Sequence, residues 1–308
     1  MPHAHAVALA RVALAAACPT GPELFARLVA ELAAALEVPL VLLAVFAEDS
    51  GATLHTLAAS LDGDTGRDID YPAEGIACID ARAAGFQFVP GGLVRHLPAQ
   101  SVLAREHMDA LAALPLTDSA GEPLGLLLAL DRRPLAPDDA ERIEDLLKIV
   151  AARAASEIER TRTDETLRAV ALAVSASRSS TVFDELVRLL ATILHVEVAF
   201  IARHDPAQPG RMRLLAIYCD GRVERDVPYP LEGSPCATVL GQRFRAYPVG
   251  VQSLFPADRE VRELGVDSYA GHPLASLDGT PLGTMSVASR RPLTRVGRIK
   301  ATLKIFAV

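Results

Sequence analysis

Displacing the 308-residue chain against itself by 158 positions aligns its two halves without a gap. Phe25, Leu28, Val29 and Leu32 fall on Phe183, Leu186, Val187 and Leu190, and Asp62-Gly63 falls on Asp220-Gly221. Tyr71, Pro72, Glu74, Gly75 and Cys78 fall on Tyr229, Pro230, Glu232, Gly233 and Cys236. Pro123-Leu124-Gly125 meets Pro281-Leu282-Gly283, and Arg132-Arg133-Pro134-Leu135 meets Arg290-Arg291-Pro292-Leu293. A period this long means one domain duplicated rather than a solenoid of short repeats. Whatever fold the first half adopts, the second half adopts too.

The two copies are joined by a stretch of unusual composition. Asp138 to Asp205 contains neither Pro nor Gly, although the chain holds 21 and 20 of them. Its first part, Asp138 to Val174, is rich in Ala, Glu, Arg and Leu, all good helix formers, and Pro137 precedes it where a helix can begin. A continuous helix there would be about 55 Å long at a rise of about 1.5 Å per residue, which suits a connector. Ile143, Leu147, Val150 and Ala154 make an apolar stripe at coiled-coil spacing, which predicts a parallel homodimer through those four residues. From Glu157 to Thr166 the helix is polar all round except at Ile158, as expected of a bridge between domains. Leu167, Val170 and Val174 then resume the stripe. The expected division is a first domain over 1–155, a connector helix over 156–175 and a second domain over 176–308.

Within each copy the pattern is the same. A helix comes first, with apolar residues at i, i+3, i+4 and i+7 through Leu36 or Leu194. Thr20, Pro22 and Glu23 resemble a capping box opening it, and Thr181 with Asp184 a weaker one. A strand follows within Val38–Ala47 or Val196–Arg203, then a second around Thr53–Ala59 or Arg213–Cys219, with Asp-Gly as a turn signal. YPxEGxxC leads into a short helix, and G-x-P-L-G forms a hairpin turn before a last strand and a closing helix. Hairpin-joined strands with helices at both ends predict an α+β domain on an antiparallel sheet.

Composition narrows the class. Half the residues are hydrophobic and 22% are charged, enough for packed cores. A net charge of −7 gives no electrostatic reason to expect nucleic acid or an anionic membrane as partner. The longest apolar run, Val38–Ala47, is too short to span a bilayer. Four cysteines without a CxxC form neither a disulfide framework nor a zinc pattern, and a reducing cytoplasm is the simplest setting. The apolar segment His5–Cys18 lacks a basic n-region and its Val12-Ala13-Leu14-Ala15 recurs as Val170-Ala171-Leu172-Ala173, so it reads as the first domain's own leading helix, not a signal peptide.

Unit two carries YPLEGSPC (Tyr229–Cys236), LFPAD (Leu254–Asp258), SYAGHPL (Ser268–Leu274), DGTPLG (Asp278–Gly283) and RPL (Arg291–Leu293). In this order and spacing these motifs resemble a GAF domain of the kind found in bacterial signalling proteins. Unit one keeps YPxEGxxC and G-x-P-L-G but has Ala110-Leu111-Ala112-Ala113 in place of S-Y-x-G, and looks like a diverged copy. The resemblance implies, for each unit, a six-stranded antiparallel sheet with flanking helices and a small-molecule pocket on one face. It implies dimerisation through helices and an output domain in cis, such as a histidine kinase or a cyclic-dinucleotide enzyme. Val308 aligns with Val150, beyond which unit one continues into AARAASEIERT. The expectation is a closing helix cut short, in the sensory portion of a longer protein.

The candidate ligand residues are those on segments that line the pocket in the resembled family: Tyr218, Cys236, Phe244, Arg245, Tyr247, Phe255, Tyr269 and His272. Arg245 and His272 would supply placed polar groups among the aromatics; the alternative is that the aromatics only fill the core. Cys236 follows Ser234-Pro235 at an expected helix start, which could activate a thiol, but a small buried apolar role is the favoured reading. Ile79 and Ala237, not His, follow the two cysteines, so a covalent bilin is not expected. No N-K-F-D-E constellation of the cyclic-nucleotide binders can be assembled. Haem and a nucleotide stay open as ligands. None of the eight histidines has metal-site spacing, and no metal is expected. The reading favoured is a non-enzymatic tandem sensory module. The competing readings are a free methionine sulfoxide reductase, for which Cys219 and Cys236 are unit two's only cysteine pair, and a ligand-free dimerisation module.

Overall fold

The computed structural model describes residues 2–18, 20–21, 23–47, 53–65, 70–72, 85–96, 102–177, 181–205, 208 and 210–307. They form two compact units, Met1–Arg160 and Thr161–Val308, and the division falls inside one long helix.

Unit one begins with helices α1 (Pro2–Ala16) and α2 (Glu23–Leu36). Strands β1 (Leu40–Phe46), β2 (Thr53–Leu61), β3 (Asp64–Thr65), β4 (Asp70–Pro72) and β5 (Gln87–Val89) follow. A 3-10 turn at Leu93–His96, helix α3 (Val102–Arg105) and strands β6 (Ala110–Thr117) and β7 (Pro123–Asp131) lead to helix α4 (Ala140–Ala176). Unit two has α5 (Val182–Leu194), β8 (Val198–His204), β9 (Arg211–Cys219), β10 (Arg222–Glu224) and β11 (Val227–Pro230). It continues through a 3-10 turn at Pro235–Thr238, β12 (Arg245–Tyr247), α6 (Val251–Leu254), α7 (Arg259–Glu263), β13 (Ser268–Ala275), β14 (Pro281–Ser289) and α8 (Val296–Phe306).

The two sheets are wired identically. Their orders are β3-β2-β1-β7-β6-β5 and β10-β9-β8-β14-β13-β12. Every pairing is antiparallel, and β4 or β11 adds to β2 or β9 as a seventh strand off that six-strand path. The central strands are buried on both faces: Leu124 through Asp131 of β7 are all enclosed. That is why this segment is a continuous apolar run instead of alternating.

The repeated motifs mark points where the backbone is most constrained. Asp62-Gly63 and Asp220-Gly221 are two-residue hairpin turns with φ of 50° and 84°, and 46° and 89°. These are the paired positive values of a type I′ turn. Each aspartate is then gripped by the arginine of the later RRPL: Arg132 meets Asp62 at 2.7 and 2.8 Å, and Arg290 meets Asp220 at 3.0 and 2.7 Å. Those guanidinium groups hold both carboxyls below the usual aspartate range. The last glycine of G-x-P-L-G has a different reason. β1 and β8 each carry a register shift, at Leu43/Ala44 and Ile201/Ala202. A Cβ on Gly125 or Gly283 would collide with the carbonyl oxygen of Ala44 or Ala202.

In unit one, α1, α2 and α4 cover one sheet face, and Ile143, Leu147, Val150 and Ala154 lie in that core, between 0% and 2% exposed. These four side chains were expected to meet a partner helix. The structure commits them to their own unit's core, because a helix that closes a domain must bury its apolar stripe there first. Glu157 is also enclosed rather than solvated. It is held by Arg153 at 3.2 Å and Arg160 at 2.6 Å, while Arg153 Nε donates to the Ala16 carbonyl at 3.0 Å and so ties down the end of α1. Thr181 does not cap α5 through its side chain; Asp184 instead accepts both Arg225 donors, at 2.7 and 2.5 Å. Pro22 of the other expected capping box lies outside the described residues.

Leu147→Glu tests the reassignment of the stripe. It places a carboxylate in a sealed apolar core, so unit one should lose on the order of 4 kcal/mol or more of stability, read as an early unfolding transition in urea by circular dichroism. A variant that keeps the wild-type transition and only dissociates would return Leu147 to an interface.

Candidate functional site

The face of the unit-two sheet opposite α5 and α8 is covered by β11, the Pro235–Thr238 turn, α6 and α7, which contribute Tyr229, Cys236, Val239, Val251 and Val261 to a second buried cluster with Phe200, Leu214 and Tyr269. Two hydrogen-bonded sets of polar groups are buried in it. The Tyr269 hydroxyl lies 2.9 Å from Ser286 Oγ and 3.4 Å from Cys236 Sγ. The Tyr229 hydroxyl donates to Asp258 Oδ2 at 2.6 Å, and Asp258 Oδ1 accepts the Val261 amide at 3.0 Å, capping α7. Asp258 is 3% exposed, and a buried carboxylate needs such donors to be tolerated.

Tyr269 also explains a glycine. A Cβ on Gly271 would strike the Tyr269 hydroxyl and Ser286 Oγ, so the S-Y-x-G motif leaves room for the ring to lie across its own strand. In unit one the equivalent residues are Leu111, Ala113 and Leu128, all fully buried. With no hydroxyl overhead, the Cβ of Ala113 fits.

Between this polar wall and the covering elements lies a cavity of about 590 Å³. Val198, Phe200, Leu214, Ile217, Val261, Leu264, Val266 and Ala288 give it apolar walls, and Tyr229 and Tyr269 reach it with their rings. Charged groups gather on its lining as well: Asp220, Arg222, Glu224, Glu260 and Glu263. Volume and mixed character suit a small organic ligand.

Of the eight residues singled out in the sequence, Tyr269 lines this cavity. Cys236 sits behind it, 0% exposed, and Tyr247 and Phe255 pack in the same cluster, edge to face at 5.0 Å. Arg245 pairs with Gly271 across the sheet, and its buried Nε has no hydrogen-bond partner. Tyr218 and Phe244 belong to the core on the other face, under the helices. His272 is two residues beyond Ala270, which faces that helix side, and its Nδ1 lies 2.9 Å from the Pro273 carbonyl. The motif segments run past the cavity, but strand alternation sends every second side chain away from it. Sequence reasoning did not single out Phe200, Leu214, Arg222, Glu224 and Glu260. A signal for the last was present in the repeat: Glu260 stands where unit one has Val102.

The two thiols of unit two are not poised for chemistry. Cys236 lies in a four-residue 3-10 turn, and burial pushes its pKa up to about 11. Burial and the neighbouring Asp220 also raise the Cys219 thiol. Cys18, Cys219 and Cys236 are all free; Cys78 lies outside the described residues. Among the described residues no group of three or more His, Cys, Asp or Glu is arranged to hold a metal ion. No helix among them is long and apolar enough to cross a membrane.

With a pKa of about 11, only about one Cys236 in 10⁴ is thiolate at pH 7, against a few per cent for an ordinary thiol. Iodoacetamide labelling followed by peptide mass spectrometry should therefore find Cys236 far slower than Cys18 in the native protein, and equal to it in denaturant. Native labelling of Cys236 as fast as Cys18 would contradict the sealed environment.

Residues 21–158 match the GAF domain family; the match falls on the unit whose motifs look the more diverged. No curated protein matches the chain. Among solved structures, the GAF domain of A. aeolicus nlh2 in an inactive state is 15% identical, with 52% of this chain and 98% of that one covered at a TM-score of 0.40. The bacteriophytochrome RpBphP3 of R. palustris is 11% identical over 94% of this chain and 63% of its own, at 0.39. The GAF domain of an Acinetobacter phosphoenolpyruvate-protein phosphotransferase is 18% identical over 47% and 92%, at 0.34. At such scores the assignment rests on the family match and on the topology that unit two repeats strand for strand. The chain is a GAF-domain protein, with a GAF domain over residues 21–158 and a second GAF-like domain behind it joined through one long helix.

Proposed function

We propose that this chain is a non-enzymatic sensory module in which unit two binds a small molecule and unit one serves as a packed structural partner. GAF domains generically bind small-molecule ligands and relay signals to output domains. The observation that carries the assignment to unit two is the cavity of about 590 Å³ against Tyr269, where unit one buries Leu111, Leu126 and Leu128 in the places of Tyr269, Thr284 and Ser286. Relay to an output domain in cis, such as a histidine kinase or a cyclic-dinucleotide enzyme, requires a ligand that binds two arrangements of the connecting helix with different affinity. The free thiols fit a reducing cytoplasm. The reductase alternative needs an attacking thiolate, and burial opposes one at both Cys219 and Cys236.

A homodimer remains part of this reading, on a different face from the buried stripe. Leu167 and Val174 of α4, seven residues apart, are 50% and 49% exposed, the spacing at which helices pair. Sedimentation equilibrium at micromolar concentration should give a dimer that Leu167→Glu weakens without changing the thermal melt; a monomeric wild type would remove the dimer from the proposal.

The ligand test exchanges cavity residues for their unit-one counterparts. Val266→Met with Ala288→Leu introduces the side chains of Met108 and Leu130. Native mass spectrometry of the full chain should find a bound small molecule in the wild type and not in the double variant, with the melting temperature held or raised. A ligand retained in full by the double variant would place the site elsewhere.

A further inference from the structure

The cavity in unit two has one polar group with an unmet requirement. Glu260, on α7, lines it, and its Oε2 is shut off from solvent without a hydrogen-bond partner. Buried carboxylate oxygens are nearly always paired, because a lost hydration shell must be replaced by donors.

Three neighbouring arginines are engaged elsewhere. Arg259, the preceding residue, donates to Glu263 at 2.6 Å. Arg262 donates to the Pro256 carbonyl at 2.8 Å, and Arg290 holds Asp220. The lining carries four carboxylates; Asp220 and Glu263 are paired with Arg290 and Arg259, which leaves Glu224 and Glu260 against the cation Arg222. The rest of the cavity is apolar and aromatic, with the Phe200 and Tyr269 rings 6.5 Å apart on its sheet side. Ring faces carry the negative end of the quadrupole, so they too favour a positive guest.

We propose that the ligand of unit two is an organic cation, with an apolar body of roughly single-ring size or larger seated against Phe200 and Tyr269 and a protonated amine or guanidine head that donates to Glu260. The proposal rests on the cavity being the sensory site and adds the class of molecule it takes. Charge-assisted donation to a carboxylate is among the stronger hydrogen bonds available to a small ligand. The preference belongs to unit two alone, since Val102 and Arg105 stand at the positions of Glu260 and Glu263 in unit one.

Isothermal titration calorimetry on the full chain with 2-phenylethylamine, 2-phenylethanol and 3-phenylpropanoate compares cationic, neutral and anionic heads on one body. The amine should bind about tenfold tighter than the other two, the scale of one charge-assisted hydrogen bond. Glu260→Gln, of nearly equal shape, should bring the amine down to the alcohol and leave the alcohol unchanged. Glu260→Asp, which keeps the charge, should retain part of the preference. Melting curves verify that both variants fold. Equal or better binding of the alcohol or carboxylate, or an amine preference that survives Glu260→Gln, overturns the cation assignment and leaves the cavity as a site. Absence of binding by all three probes up to about 10 mM, a limit weaker than ordinary small-ligand sites, overturns the cavity reading along with it.

Discussion

Each unit is built on an antiparallel sheet whose central strands are buried on both sides, and both faces have to be covered. Removing apolar area from water is the dominant favourable term in folding, so an uncovered face would be a standing defect. Long helices cover one face efficiently, since an amphipathic helix offers a straight stripe of side chains. Short strands, turns and one-turn helices cover the other. Their side chains do not interdigitate as regularly, and how well they fill that face depends on a handful of residues. Among the described residues, unit one packs that face mainly with leucine, and unit two has a cavity there.

The difference between the two copies is concentrated in a few coupled positions. Tyr269 needs Gly271 beneath its hydroxyl, and the hydroxyl needs Ser286 and the Cys236 sulfur beside it. Replacing the tyrosine by leucine removes the need for the glycine and the serine, and unit one carries Leu111, Ala113 and Leu128 accordingly while keeping the cysteine as Cys78. A buried hydroxyl without partners is costly, so the tyrosine and the serine change together. The same set stiffens the cavity wall: Tyr247 packs 6.3 Å from Tyr269, and its own hydroxyl reaches Thr238 at 3.1 Å.

Helix α4 carries core residues of both units. Ile143, Leu147, Val150 and Ala154 are buried in the first, and Val170 packs against the helix-side core of the second. Glu157 with its two arginines ties this helix to the end of unit one.

The duplication, the α+β class, the connector and the hairpin turns are legible in the chain without its coordinates. They are so because they rest on local rules: helix propensity over 37 residues of α4, Asp-Gly at type I′ turns, glycine where two strands approach. The sequence also singled out Tyr269 as the polar handle that unit one lacks. Which face each side chain serves depends on packing between elements distant in the chain. The stripe of Ile143 to Ala154 has the spacing of a coiled-coil seam, and a helix closing its own domain has nearly the same spacing, so periodicity cannot separate partner from core. Tyr218, Phe244 and His272 lie on the motif-bearing segments, but a strand turns alternate residues to opposite faces, and those three serve the helix side. For Cys236 the sequence favours a small buried role over a thiol activated at a helix start, and the structure places it 0% exposed with its thiol raised by burial. Glu260 was written in the chain as an acid where its counterpart is valine. Folding places that acid on the cavity lining and leaves one enclosed oxygen of it without a hydrogen-bond partner.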